Sequence, residues 1–419
     1  MRIAVIGAGI IGITTAYELA LDGHEVTVFE RRGAAAEETS FANAGLVAPG
    51  YVTPWAAPGM PGKVLSHLFS RHAPVKLALP LSGSELAWMW KWFRACKLET
   101  YLANRARMQR LAFYSRERLH HLTAELELEY DGSPGYMVLL RSEQDSKLVQ
   151  PGLAVLREAG VAFKEIGPEE VLKLEPALNT ETAFLGAVHL PNDEVANCRQ
   201  FALLLKNEAQ RIGVNFEFNT SVARLEPSQP ASILPANENA PRSFDRVVMC
   251  AGVASAQLLK PLGLKIPMAA VYGYSISAPI REPLNAPRSA LMDEHYKVAI
   301  SRLGNRVRVA GSAEIGGSLD NKRAASLQTL YKVLHDWFPG AAQLANTGSS
   351  VQEWKGARPM LPDGPPIIGD SGIAGLWLNL GHGSSGWALS CGSARALADL
   401  MAGRNADIDM EGLGVARLA

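Results

Sequence analysis

An α/β architecture is expected: a parallel-sheet domain interrupted by an inserted α+β domain that carries a mixed or antiparallel sheet. Three features of the 419-residue chain point to it. The first thirty residues alternate strand, glycine loop, helix and strand. The middle mixes long helical runs with scattered strand candidates. The last third returns to a glycine cluster and a helix. Hydrophobic residues make up 47% and charged residues 20%, which supplies a core and excludes a mainly disordered chain.

Lys+Arg and Asp+Glu are both 41, so the formal net charge is zero. A nucleic-acid binder needs a basic excess to neutralise phosphates, and none is present. The four cysteines, Cys96, Cys198, Cys250 and Cys391, form no CxxC pair. No metal site is expected, and a reducing, cytoplasmic compartment fits. The apolar run from Ile3 to Ala20 is broken by Gly7, Gly9, Gly12 and Glu18 and follows only Arg2. It does not read as a signal peptide, and no stretch reaches the ~18 uninterrupted apolar residues of a membrane span.

Arg2 to Ile6 (RIAVI) is β-branched and apolar, as a buried parallel strand should be. Gly7-Ala8-Gly9-Ile10-Ile11-Gly12 follows, then a helical stretch from Thr14 to Leu21, a turn at Asp22-Gly23 and a second strand, Glu25 to Glu30. This is G-x-G-x-x-G between a strand and a helix, the Rossmann-like arrangement for a dinucleotide. Gly7 permits the tight turn, Gly9 lets the backbone approach a pyrophosphate, and Gly12 lets helix and strand pack closely. Glu30, at the end of the second strand, can accept hydrogen bonds from ribose hydroxyls and disfavours a 2′-phosphate. Ile10 and Arg31 are the adjoining candidate contacts. The small, polar loop Thr39-Ser40-Phe41-Ala42-Asn43-Ala44-Gly45 can reach the second phosphate and ribityl chain of a flavin dinucleotide, which makes Ser40, Asn43, Ala44 and Gly45 candidates too.

Val214 to Phe218, Val222 to Leu225 and Val247 to Met249 read as strands. The last ends in Cys250-Ala251-Gly252, small enough to run close to a cofactor, so Val222, Ala251 and Gly252 join the set. Cys250 reads as a small core residue. Pro227 to Arg242 reads as a surface loop in a hairpin-like excursion. Tyr51 to about His189 differs: prolines early, then a helical run from Ser84 to about Leu126. With strand candidates Tyr136 to Leu140, Val271 to Ser277, Lys297 to Ser301 and Arg306 to Ala310, it suggests the inserted domain. The expected division is 1–50, 191–263 and 351–419 for the cofactor domain, and 51–190 and 264–350 for the substrate domain. Within Met60 to Lys97, six basic residues (Lys63, Arg71, Lys76, Lys91, Arg94, Lys97) face one acid, Glu85, beside Trp88, Trp90, Trp92 and Phe93. A surface for a membrane interface and a helix with core aromatics both remain open for this stretch.

Gly356-Ala357-Arg358-Pro359-Met360-Leu361-Pro362-Asp363-Gly364 precedes a strand, Leu376 to Leu380. That strand leads into Gly381-His382-Gly383-Ser384-Ser385-Gly386 and a last helix, Trp387 to Met401. The second glycine cluster does not announce a second nucleotide, because no strand with a terminal acid follows it. Its backbone N–H groups and the helix N-terminus can instead face the flavin's pyrimidine edge and stabilise the charge of the reduced ring. Gly356, Gly381, His382, Gly383, Ser384 and Gly386 are the candidates there. His382 either helps that charge or merely packs. Arg358 offers the planar fork that grips a carboxylate, although a structural salt bridge is an equal reading of the residue alone.

Along its whole length the chain resembles the D-amino acid dehydrogenase family of D-amino acid oxidase-like FAD flavoproteins (glutathione reductase 2-type). The motifs are GAGIIG, TSFANAG, APGYVTPWAAPG (Ala48 to Gly59), RHAP (Arg71 to Pro74), LPNDE (Leu190 to Glu194), GYS (Gly273 to Ser275), GARPMLPDG, LNLGHGSSGW and CGS (Cys391 to Ser393). The resemblance implies non-covalent FAD and oxidation of free D-amino acids to 2-oxo acids and ammonia by hydride transfer. It implies a quinone or another acceptor for the electrons, with peripheral contact at the inner face of the cell membrane an open possibility. It makes Arg358 the carboxylate ligand and Tyr274 a residue that shares the carboxylate or closes the site. The alternative is an oxidase of the same fold, glycine or sarcosine oxidase-like, that uses oxygen. Phe41 departs from the family's loop, and Met268 to Tyr272 lacks the basic residue the family carries before Gly273.

Overall fold

The computed structural model describes residues 1–67, 72–226, 228, 230–344 and 351–418. Two sheets organise it. The smaller has six strands in the order Ile367–Asp370, Leu376–Leu380, Arg246–Met249, Arg2–Ile6, Glu25–Phe29 and Asn215–Glu217. All neighbours are parallel except the first pair. The strand Arg2–Ile6 is buried on both faces, and its alternation divides its side chains between two cores. Ile3 and Val5 face the helices Ile10–Leu21, Leu98–Glu125, Cys198–Arg211 and Gly386–Met401. Ala4 and Ile6 face a small antiparallel sheet. A continuous apolar strand is what such double burial requires.

That small sheet, Val222–Glu226, Ala231–Pro235 and Arg242–Phe244, occupies the excursion expected as a surface loop. Asn237, Glu238 and Asn239 lie between two of its strands, while Leu225, Ile233 and Phe244 point inward. Pro227 and Gln229 lie outside the described residues.

The larger sheet has ten strands. Its main path runs Gln352–Met360, Ala269–Pro279, Arg306–Ile315, Val298–Leu303, Ala290–Asp293, Ser133–Leu140, Gly186–Val195 and Leu46–Val47. Val75–Leu77 and Lys164–Ile166 add to it. It is mixed, with parallel pairings only where Ala290–Asp293 meets Ser133–Leu140 and Val75–Leu77 meets Arg306–Ile315. One face packs the helix Ala324–Trp337 through Leu330, Val333, Leu334 and Trp337. The strand Gln352–Met360, assigned by its sequence position to the first domain, is paired over nine residues with Ala269–Pro279 and so begins in the larger sheet. The helical run expected from Ser84 to Leu126 is two helices, Gly83–Ala95 and Leu98–Glu125, because Lys97 is extended (φ −75°, ψ 144°).

A buried ion network fixes three of the helices over the smaller sheet. Glu18, on the first helix, is fully buried. It accepts from Arg118 Nε at 2.6 Å and Nη2 at 2.9 Å, and from Arg395 Nη1 at 2.8 Å. Arg395 also reaches Asp22 and Asp399. Removing one partner of such a cluster leaves buried charges uncompensated. Glu18→Ala is expected to lower the unfolding free energy by about 3–5 kcal/mol, read as a lower midpoint in urea with an unchanged slope.

Candidate functional site

The strand–turn–helix at the N-terminus builds one end of a cleft of about 460 Å³. Gly7 lies at φ +104°, where an added Cβ would stand 2.7 Å from the Cys250 carbonyl oxygen. A Cβ on Gly12 would stand 1.8 Å from the Gly7 carbonyl oxygen. Only glycine fits either place, so these two let the first helix start directly against the strand end. Gly12 itself packs behind the cleft, whereas Gly7, Gly9 and Ile10 line it. The Ile10 N–H donates to Ser40 Oγ at 3.0 Å, tying the helix start to the loop that follows the second strand.

Glu30 lines the same cleft. Its carboxylate accepts from the N–H groups of Ala8 (2.7 Å) and Arg32 (2.8 Å), and burial pushes its pKa up despite them. Each oxygen keeps acceptor capacity toward the cleft. Arg31 also lines it, with its guanidinium held on Glu38. Val222, Ala251 and Gly252 line its middle, and Gly381, His382, Gly383 and Gly386 its other end. The two glycine clusters therefore border one continuous cleft. Its length, from the acid at a strand end to a helix N-terminus, and its glycine-cleared walls fit a dinucleotide carried through to its ring.

Other expected contacts lie elsewhere. Ser384 is not on the cleft wall. Asn43, Ala44 and Gly45 face the larger sheet: Arg308 Nη1 donates to the Asn43 carbonyl at 3.2 Å, and the Ser301 hydroxyl donates to the Ala44 carbonyl at 2.7 Å. Gly356 serves a side chain instead, since an added Cβ there would stand 1.7 Å from Trp354 Cη2.

His382 is buried, and burial lowers its pKa to about 3. Its Nε2 is 3.1 Å from Ser393 Oγ, whose own proton goes to the Ser390 carbonyl at 3.0 Å. The hydroxyl is thereby left as acceptor, which places the imidazole proton on Nε2. His382 is thus a neutral group on the cleft wall.

Arg358 sits on Gln352–Met360. Register places Arg358 opposite Val271, Gly356 opposite Gly273 and Trp354 opposite Ser275, all on one face. Tyr272, Tyr274 and Lys355 project from the other. The Arg358 guanidinium lies over Gly273, where an added Cβ would be 2.4 Å from Nη2. Its Nη1 donates to the Ser312 carbonyl at 3.0 Å, and its Cζ is 5.9 Å from the Trp55 ring centroid. Ser312 has φ +58° and falls where the pairing between Ala269–Pro279 and Arg306–Ile315 shifts register. Such irregularities re-aim groups beside sites. Among the described residues no carboxylate forms an ion pair with Arg358, and burial lowers its pKa to about 10. The equal reading of a structural salt bridge is therefore not met. Pro359, the next residue, lines the cleft.

Tyr274 does not join this group. It is 1% exposed, packs in the core beneath the helix Ala324–Trp337, donates to Glu314 and accepts from the Arg323 N–H at 3.2 Å. Lys355 Nζ bonds Glu314 at 3.2 Å in the same buried cluster. Burial and Glu314 push the phenol's pKa up. Strand alternation puts it across the sheet from Arg358, so it neither shares a carboxylate nor closes the site. Sequence reasoning missed Trp55, Trp354, Ser312 and the clearance role of Gly273, because each depends on strand register.

His382 also sets a pH signature. A neutral buried histidine binds its proton only in the unfolded state between about pH 6.5 and 3, so stability falls as pH drops through that window. The wild-type unfolding free energy is expected to decline more steeply than that of His382→Gln, by at most about 1.4 kcal/mol per pH unit. Parallel urea titrations at pH 7, 6 and 5 check this.

The family model for the DAO, FAD-dependent oxidoreductases matches residues 2–400. A D-amino acid dehydrogenase of Bradyrhizobium diazoefficiens is 41% identical over 421 residues, covering 100% of this chain and 99% of its own. Among solved structures, the chain is similar to glycine oxidase from Geobacillus kaustophilus (TM-score 0.74, 22% identity, 99% of both chains). It is also similar to L-proline dehydrogenase from P. horikoshii (TM-score 0.74, 17% identity, 100% of this chain and 97% of that one). The chain belongs to the DAO family of FAD-dependent oxidoreductases.

Proposed function

We propose that the protein oxidises free D-amino acids to 2-oxo acids and ammonia, with Arg358 as the ligand of the substrate carboxylate. The observation that carries this reading is a half-buried guanidinium without a carboxylate partner among the described residues, one residue from the glycine-cleared cleft. A substrate carboxylate supplies the missing charge and can take both prongs of the fork. The 41% relative, a D-amino acid dehydrogenase, supports the handedness and the reaction class. FAD, when bound, supplies the acceptor for the hydride that leaves the substrate Cα. Arg358 fixes the carboxylate so that the Cα–H bond has one direction, and positioning contributes most of the work. The imino acid is then hydrolysed by water. Neutral His382 and the distant Tyr274 leave no named protein base, which suits an amine that reacts in its neutral form.

Anaerobic mixing with matched D- and L-amino acids tests the reading: D-enantiomers are expected to bleach the flavin, and L-enantiomers not. Arg358→Ala should cost roughly 2–5 kcal/mol in kcat/KM with FAD still bound, and Arg358→Lys should recover only part. Near-normal kcat/KM in Arg358→Ala overturns the assignment.

We also infer that electrons pass to a quinone or a similar acceptor at an anionic membrane surface, touched by the helix Gly83–Ala95. The aromatic run on this helix divides. Trp88 is buried and donates to the Met360 carbonyl at 2.9 Å, and Trp92 packs beside it. Leu86, Trp90 and Phe93, at i, i+4 and i+7, are 54%, 62% and 53% exposed. Trp90 and Phe93 stack at 5.9 Å, and Lys91, Arg94 and Lys97 flank them. Lys76, counted in the basic stretch, is buried, while Arg71 and the Lys63 side chain lie outside the described residues. Exposed aromatics with a basic flank suit an anionic interface, and among the described residues no helix is long and apolar enough to cross a membrane. The protein should float with phosphatidylglycerol vesicles and not with phosphatidylcholine vesicles, and Trp90→Ala with Phe93→Ala should abolish flotation. Recovery in the unbound fraction with both lipids removes this part of the reading.

A further inference from the structure

Two cross-strand neighbours of the larger sheet grip the loop between Thr39 and Gly45. Arg308 stands opposite Ser301 on one adjoining strand and Ser277 on the other, on the face that also carries Arg358. Arg308 Nη1 donates to the Asn43 carbonyl at 3.2 Å, and the Ser301 hydroxyl donates to the Ala44 carbonyl at 2.7 Å. The N–H of a trans peptide points opposite to its carbonyl. With the Asn43 carbonyl turned to the sheet, the Ala44 N–H is turned away from it. The next N–H, of Gly45, is taken by Asn43 Oδ1 at 3.0 Å, whereas the Ala44 N–H has no acceptor among the described residues. Ser40, in the same loop, borders the cleft.

The two grips differ in charge. Ser301 holds its carbonyl with a neutral hydroxyl, so holding this loop does not in itself demand a cation. Arg308 does the same work with a buried guanidinium whose Nε has no partner among the described residues. The ionisable groups that act on it are Cys198, whose thiol pKa burial pushes up to about 12, and the guanidinium groups of Arg306 and Arg199. Arg199 in turn lies over the Phe41 ring at 4.3 Å. Positive charge therefore gathers behind the loop, with no carboxylate among these groups. A buried charge without a counter-ion is a poor device for stability. What it supplies is a field: it polarises the Asn43–Ala44 peptide and makes the N–H at the far end a stronger donor.

We propose that Arg308 is a positioning residue for FAD, aiming and polarising the Asn43–Ala44 peptide so that the Ala44 N–H, with the charge behind it, favours the reduced flavin. This rests on the loop 39–45 as a flavin contact and not on which amino acid is oxidised. Reduction adds electron density to the ring, and a fixed donor backed by a cation in a site of low dielectric stabilises that density more than it stabilises the oxidised ring.

The test reduces the FAD-loaded enzyme in equilibrium with a reference dye, which needs no amino acid. Arg308→Met should lower the equilibrium constant for two-electron reduction of the flavin by about tenfold or more, a shift of about 30 mV toward more negative potential. Arg308→Lys keeps the charge, and Ser301→Ala removes only the neutral grip on the neighbouring carbonyl. Each should stay within about threefold of wild type. If Arg308→Met does not retain FAD, Arg308→Gln is read against the same limits. A neutral variant within threefold of wild type overturns the proposal. So does a Ser301→Ala shift as large as that of the neutral variant, which traces the effect to loop position alone. A changed visible absorption at unchanged potential removes only the charge effect. If absorption and potential are both unchanged, the reading of the loop as a flavin contact fails with it. Arg358 as carboxylate ligand stands in either case, because bleaching by D-amino acids tests it separately.

Discussion

A guanidinium with no counter-ion among the described residues is the constraint on which the proposed site depends. Desolvating Arg358 costs free energy, in line with a pKa drawn down to about 10, and no carboxylate among the described residues compensates it. The fold spends structure to keep it there. Gly273 removes the side chain that would block the guanidinium, and Ser312 adopts φ +58° where the register shifts, so that its carbonyl receives Nη1. A left-handed serine costs on the order of 1–3 kcal/mol. Such strain beside the guanidinium is what the proposed role of Arg358, a group held ready for an anion from solution, would require.

The anchor works only if it is registered against the cleft, and backbone carbonyls supply that link. Thr39 donates to the Ala357 carbonyl at 2.6 Å, joining the loop after Glu30 to the strand of Arg358. Arg308 and Ser301, from the larger sheet, donate to the consecutive carbonyls of Asn43 and Ala44. Arg308 is a second buried guanidinium with no ion pair among the described residues, its pKa lowered to about 10 by burial. It differs from Arg358 because it is spent on a loop carbonyl. The loop expected to touch the flavin thus also mechanically couples the two sheets, a role its small polar composition did not announce.

What was legible in the sequence followed local rules. The strand–glycine–helix unit shows in Gly7 and Gly12 because their steric demands arise within a few residues of chain. Arg358 shows because its flanking glycines and proline are contiguous with it. Tyr274 misled for the converse reason. It adjoins Gly273, which does lie under the guanidinium, yet one step along a strand reverses the face. Trp354 and Ser312 were invisible because their roles arise from pairing with residues some 40 to 80 positions away. The excursion at 227–242 read as loop because its turns are richer in polar residues than its short strands are in apolar ones.

Placing the charge-bearing groups this way also limits how protons can move. Tyr274 holds its proton toward Glu314 on the far side of the sheet, and His382 is neutral with its Nε2 proton committed to Ser393. Neither is available to take a proton from a substrate ammonium. Selection for the neutral amine then falls on the site's electrostatics. The unpaired cation of Arg358 attracts the carboxylate and disfavours a second positive charge beside it. On the proposed function, one residue would both anchor the substrate and bias its amine toward the form that can lose hydride, so geometry and protonation state would be set by a single side chain rather than by a separate acid–base pair.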